Sequence, residues 1–383
     1  MVAVPLPFAL RPNEGVVVAR RAPLHIPSLD GVRAASFLIV FASHAGGLDT
    51  LIPGAFGVTV FFFLSGYLIT TLMRVEAGAT GRVSFTDFYL RRALRILPPF
   101  YLVLAAATLL AKVGVLGGDL QAKAVSSQFL HVYNYWMAAH GGSGVATGTG
   151  VYWSLAVEEH FYLIFPAAFM ALSLLRFTGR QKAFALWAIC ALVLAWRCVL
   201  VFLLHASVDR VSLCSDTRLD SIAFGCALAM WNNPVLDGVA DRSGARSDLR
   251  MRIAFSVGVG LLLVTFVVRE AAFRETFRYT LQGIALTPLF IAAVRHPGWL
   301  VFRPLNWRPV RFVGNLTYSL YLVHHVALKA VAAHHGRLGT VAGALVALVA
   351  SLGVAWVIHV VVERPCARLR KRLSVTRSAV AAA

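Results

Sequence analysis

The chain has 383 residues, 58% of them hydrophobic and 14% charged, with a formal net charge of +19. Soluble domains carry about 25% charged residues, so this composition points to the membrane and excludes an ordinary soluble enzyme. The arginine surplus raises nucleic-acid binding as a function class; where those arginines fall decides against it.

Residues 1–27 are expected to form a cytoplasmic tail. Their arginines follow the apolar run MVAVPLPFAL, the reverse of the order in a signal peptide. About ten apolar segments then reach the roughly 17–25 residues that a span requires. They cover 29–47, 54–73, 96–113, 153–174, 183–205, 217–233, 252–269, 278–295, 312–331 and 338–361. The expected fold is all-α: a polytopic membrane helix bundle of about ten transmembrane helices. With both termini cytoplasmic, 26 lysines and arginines fall on inside segments and nine outside, with Arg197 left within a span. The positive-inside rule favours this orientation, and the charge then reports topology, with no nucleic acid required. No internal repeat is evident. The cysteines Cys190, Cys198, Cys214, Cys226 and Cys366 lack paired spacing and read as small core residues.

In the first span, SLDGVRAASFLIVFASHAGG, Arg33 and His44 lie eleven residues apart. At about 100° per residue they return to within roughly 20° of one face, about 16 Å apart along it. Ionisable groups at membrane depth are costly and usually functional, although a lone histidine also serves in interhelical hydrogen bonding. Histidine can act as a base near neutral pH, which is what a hydroxyl attacking a thioester requires. Ser65 in FFFLSGYLIT lacks a nucleophile elbow, and Ser65-Gly66 reads as a close helix contact.

FYLRRALRILPPFY, residues 88–101, enters the third span with Arg91, Arg92 and Arg95 at its mouth and Pro98-Pro99 bending or starting the helix. Simple positive-inside anchoring competes here with an anion-binding cluster, for which arginine forks suit phosphate. The outside segment 114–152 holds GGSGVATGTG, lacks the residues of a phosphate-cradling loop, and is expected to be flexible. WSLAVEEHFYLIFP, residues 153–166, places Glu158 and Glu159 about 8–9 Å below Trp153. Adjacent residues point about 100° apart, so one of the two is expected to face the interior, at a depth compatible with His44.

SDTRLDSIAFG, residues 215–225, carries Asp216, Arg218 and Asp220, either a structural ion pair or a substrate contact. NLTYSLYLVHH, residues 315–325, sets Tyr318, Tyr321 and His325 on one face and His324 on its neighbour. The Tyr and Ser side chains of this stretch suit a sugar hydroxyl, or ordinary helix–helix hydrogen bonding. Glu363 in VVERPC is expected to pair with a cytoplasmic arginine, while His334, His335 and His359 have no metal-ligand context and no role.

Together, SLDGVRA with Arg33 and His44, GVTVFFFLSGYLIT, FYLRRALRILPPFY, WSLAVEEHFYLIFP, TRLDSIAFG, NLTYSLYLVHH and ERP, in this order and spacing, resemble the membrane-bound acyltransferase-3 family. The resemblance covers residues 28–365 as one transmembrane domain, followed by a basic cytoplasmic tail at 366–383. His160 stands where the family often has glutamine, and no SGNH-type hydrolase domain is seen after the bundle. A second acyl-handling step is therefore expected in the bundle or a partner. The resemblance implies a ten-helix bundle in the bacterial inner membrane that moves an acyl group, usually acetyl, from acyl-CoA to a carbohydrate hydroxyl. That acceptor would be an exopolysaccharide, an O-antigen or a related glycan, or alternatively the sugar of a macrolide. It implies His44 with Glu158 or Glu159 as catalytic residues, the histidine acting as base or acyl carrier. It also implies Arg33, Arg92 and Arg95 on the CoA phosphates, with no resident cofactor or metal; Asp216, Arg218, Asp220, Tyr318 and Tyr321 are the candidate acceptor contacts. The rival reading from another class is an exporter of glycan or lipid, which shows similar intramembrane charges.

Overall fold

The structure, a computed structural model, describes residues 26–46, 52–237, 245–334 and 340–373. The expected tails outside these limits, and His335, lie beyond the described residues. Among the described residues there is no strand. The helices are α1 (Pro27–His44), α2 (Gly54–Thr80), α3 (Phe85–Lys112), α4 (Ala122–Phe129), α5 (Tyr133–His140), α6 (Trp153–Leu174), α7 (Gly179–Cys198) and α8 (Val208–Leu213). There follow α9 (Ser215–Trp231), α10 (Ala245–Val267), α11 (Ala271–Glu275), α12 (Phe277–Arg295), α13 (Arg308–His334), α14 (Thr340–Ile358) and α15 (Arg364–Leu373). One π-helical turn, Val199–Leu203, follows α7; another, His359–Glu363, joins α14 to α15.

Seven of these elements are long and apolar enough to cross a membrane: those built on α2, α3, α6, α7, α10, α12 and α14. The chain is a multi-pass membrane helix bundle. The other three expected spans correspond to α1, α9 and α13, which carry three of the six polar motifs. Neighbouring helices shield them, so they need less apolar surface of their own: α9 is buried along nearly its whole length. α9 packs between α2 and α7, and α1 between α2 and α13. Gly66 and Gly225 set the first of these contacts. A methyl group on Gly66 would strike the carbonyl of Ile222, and one on Gly225 the carbonyl of Phe63. The close packing read from Ser65-Gly66 is present.

Two expectations on element form change. α3 starts at Phe85, well before residue 96, with the Ser84 hydroxyl accepting from the Asp87 amide at 3.2 Å. Pro98 and Pro99 therefore lie inside the helix, where they free the carbonyls of Leu94 and Arg95 from their usual i+4 donors. Segment 114–152 is not an open loop: it folds into α4, α5 and a 3-10 turn, Thr149–Tyr152. Ala124, Tyr133 and Val145 form a small core there, and the Gln128 amide donates to the Thr149 carbonyl at 3.1 Å. Gly148, at φ +91°, lies against the backbone of His325 and Val326, where no Cβ would fit.

α1 and α13 run parallel. Gly314 touches the Asp30 backbone near their starts, and His324 meets His44 at the far end. The end where both helices begin carries the arginine-rich mouth and is called the basic end below.

Candidate active site

The stripe Arg33, Phe37, Phe41 and His44 follows helical spacing along α1 and faces α13. Arg33 donates to Asp30 Oδ1 at 2.6 Å, one turn below it. Beside Arg33 opens a cavity of about 290 Å³ between α1, α2, α3, α6 and α13, also lined by Arg92, Arg95, Glu158, Glu159 and Tyr318. The cavity continues to Ser154 and Tyr321, away from the basic end.

Its polar wall is tightly connected. The Arg92 guanidinium lies over the Tyr162 ring at 4.9 Å, a favourable cation–π arrangement. The Tyr162 hydroxyl donates to Glu158 Oε2 at 2.7 Å, and the Ser65 hydroxyl is hydrogen-bonded to that of Tyr162. Tyr318 donates to the Ile96 carbonyl at 2.7 Å, which ties α13 to α3 next to the two prolines. The Tyr321 hydroxyl bonds Ser154 Oγ at 2.6 Å. Three guanidiniums and two carboxylates thus line one space, which leaves an excess of one positive charge even with both carboxylates ionised.

Both Glu158 and Glu159 line the cavity, where one had been expected, because the space is wide enough to receive neighbouring faces of α6. Neither is the described neighbour of His44. His44 is exposed at the last residue of α1, whereas Glu158 lies about one and a half turns inside α6, so their depths differ. The His44 ring instead meets two histidines that sequence reasoning left without a role. His44 Nδ1 lies 3.0 Å from His324 Nε2, and the His325 ring stacks on that of His44 at 4.6 Å. His324 is fully buried and 5.4 Å from the Tyr321 ring, which links this cluster to the cavity. The available signal was the pair His324-His325 inside an apolar span, where a titratable group is rarely idle. Among the described residues no cluster of three metal-ligating side chains is arranged to hold an ion.

The remaining candidates divide. Tyr318 and Tyr321 line the cavity; Asp216, Arg218 and Asp220 do not. Asp216 pairs with Arg210 at 2.6 Å and accepts from the Trp196 indole. Asp220 pairs with Arg197 at 2.7 Å, both side chains fully buried. Arg218 lies 3.9 Å over the Tyr279 ring and donates to Thr59. These three belong to ion pairs and packing, the structural side of the alternative.

Glu363 accepts from Ser319 at 2.6 Å and, among the described residues, pairs with His359 four positions earlier rather than with an arginine. His160 bonds Ser215 Oγ at 2.6 Å. In the segment between spans, burial and then neighbouring His160 push His131 below the usual imidazole range. α15 packs on α3 at the basic end, with Arg370 in electrostatic reach of Arg91, Arg92 and Arg95.

Among known proteins, the chain is 30% identical over 310 residues to YrhL of Bacillus subtilis (strain 168), covering 79% of this chain and 48% of that protein. It is 29% identical over 311 residues to the peptidoglycan O-acetyltransferase OatA of Listeria monocytogenes, covering 79% and 49%. It is 28% identical over 318 residues to the O-acetyltransferase OatA of Staphylococcus aureus (strain NCTC 8325 / PS 47), covering 79% and 51%. The chain spans about half the length of these relatives. No solved structure matches it. The acyltransferase-domain model of the acyltransferase-3 family matches residues 26–360, which takes in every cavity-lining residue and the three histidines, and the chain belongs to that family.

Proposed function

We propose that the chain is an integral membrane O-acyltransferase of the bacterial inner membrane. It would carry an acyl group, acetyl first among them, from acyl-CoA to a hydroxyl of a glycan acceptor. The observation that carries this reading is the cavity, cationic at the basic end and reaching Tyr321 beside the histidine cluster. The positive-inside distribution assigns the basic end to the cytoplasm, where acyl-CoA is available. Arg33, Arg92 and Arg95 match the planar, bidentate demands of its phosphates. The pantetheine arm is slender enough for the passage and spans the ~16 Å between the heights of Arg33 and His44. His44 then takes the proton of the attacking hydroxyl. Glu158 holds Tyr162 by its hydrogen bond, and both carboxylates balance the charge of Arg92 rather than orienting His44.

Two of the relatives named above are O-acetyltransferases, one of them of peptidoglycan, which favours a cell-envelope glycan over the sugar of a macrolide as acceptor. The test is to incubate membranes with acetyl-labelled CoA and follow label into glycan, lipid and small-molecule fractions. Label is expected in a glycan fraction and lost in His44→Ala, with the variant inserted at wild-type amounts. An exporter would leave every fraction unlabelled, and label in a macrolide-type fraction would move the acceptor.

A further inference from the structure

We propose that His324 is a positioning residue that fixes the tautomer of His44, so that Nε2 of His44 carries the lone pair used on the acceptor. The inference rests on the reading of His44 as the reacting imidazole. His324 Nδ1 lies 2.8 Å from the Tyr321 carbonyl oxygen. A carbonyl only accepts, so Nδ1 of His324 bears the hydrogen and, in the neutral ring, Nε2 bears the lone pair. That lone pair faces His44 Nδ1 at 3.0 Å, so His44 donates from Nδ1. Its own lone pair is therefore on Nε2. A peptide carbonyl thus sets the state of a second ring through a first.

The first ring is held still enough to transmit that choice. His324 is fully buried, with Phe37 edge-on at 5.6 Å, Phe41 at 6.4 Å and Tyr321 at 5.4 Å. Phe37, Phe41 and His44 lie on the same face of α1, so the helix that presents the base also grips its orienting partner. In hydrolase triads a carboxylate holds the equivalent nitrogen. Here a neutral imidazole does so, which spares the site a buried anion.

The proton balance follows. The acceptor hydroxyl gives its proton to His44 Nε2 as its oxygen bonds the thioester carbonyl carbon. Both nitrogens of His44 then carry hydrogen, and Nδ1–H still donates to His324. The carbon–sulfur bond breaks, the sulfur takes the proton back from Nε2, and free CoA thiol and the O-acyl ester are the products.

His324→Phe keeps the ring and removes both nitrogens; His324→Gln keeps an acceptor for His44 and a donor for the Tyr321 carbonyl. Expected for His324→Phe is a fall in kcat of about 10²–10⁴-fold, the range of general-base contributions, with KM for acetyl-CoA changed less than about twofold. His324→Gln is expected to recover at least about tenfold of that loss. His324→Leu replaces the phenylalanine variant should that one not accumulate. A nitrogen-free variant with wild-type kcat, or a glutamine variant no better than it, overturns the proposal. A second readout needs no turnover: carbethoxylation of His44 by diethyl pyrocarbonate, followed by mass spectrometry, should slow severalfold in His324→Phe and recover in His324→Gln. If the wild type transfers no acetyl group, the functional reading fails, while the carbethoxylation series still decides the role of His324.

Discussion

Two sets of arginines and carboxylates sit inside this bundle, and they are built differently. In the set on α7, α9 and α12, Arg197 is satisfied on every side: Asp220, the carbonyls of Thr217 and Thr276, and the hydroxyl of Thr280. Both partners of its ion pair are sealed from solvent. In the set on α1, α3 and α6, Arg33, Arg92 and Arg95 share a cavity wall with Glu158 and Glu159. The first arrangement spends its charge on holding helices together. The second keeps a cationic surface facing an open space, as anion binding requires. Charge at membrane depth is thus a common signal of both, and only the partners separate them.

The comparison can be broken from either side. The largest effect is expected from Arg197→Leu, which leaves Asp220 buried without its cation. Breaking such a pair costs about 3–5 kcal/mol, so the variant should accumulate poorly and melt far below wild type in detergent. Arg95→Ala should do the opposite, since its side chain is exposed and borders the cavity. Loss of a charge-assisted hydrogen bond to phosphate, about 1.5–3 kcal/mol, predicts a KM for acetyl-CoA raised roughly 10–150-fold with the melting temperature nearly unchanged. Should Arg95→Ala melt like Arg197→Leu, the cavity set is structural as well. The smallest effect belongs to Asp216→Asn, whose pair with Arg210 is about one-third exposed on both sides. It should cost about 0–1 kcal/mol and leave acetyl transfer intact. A selective loss of acceptor KM there would return Asp216 to the substrate site.

How far the sequence could be read depended on the range of the interaction. The face shared by Arg33 and His44 is a matter of one helical period, and it is the face turned to α13. At Gly66 the small pair Ser65-Gly66 marks a close approach, but its partner Ile222 lies on another helix and spacing does not name it. The partner of His44 is no more local: His324 lies 280 residues away, and no spacing rule joins two helices across that distance. Depth along the helices points to Glu158 or Glu159, but α1 ends at His44, which is exposed there. Arg197 was passed over although an arginine inside a span demands an acid, and Asp220 in the next motif was the obvious one. In α3 the two prolines drew attention from the earlier Ser84–Asp87 cap. In segment 114–152 the glycine run concealed two short helices on either side of residue 131.

The basic helix α15 has a practical consequence. It lies past residue 360, where the match to the family model stops, yet it sets Arg370 in electrostatic reach of the three arginines of the α3 mouth. Trimming the chain after Pro365, or fusing a bulky reporter to that helix, would alter the electrostatics of the basic mouth while sparing every family motif. Preparations of this protein for assay should keep residues 364–373 in place.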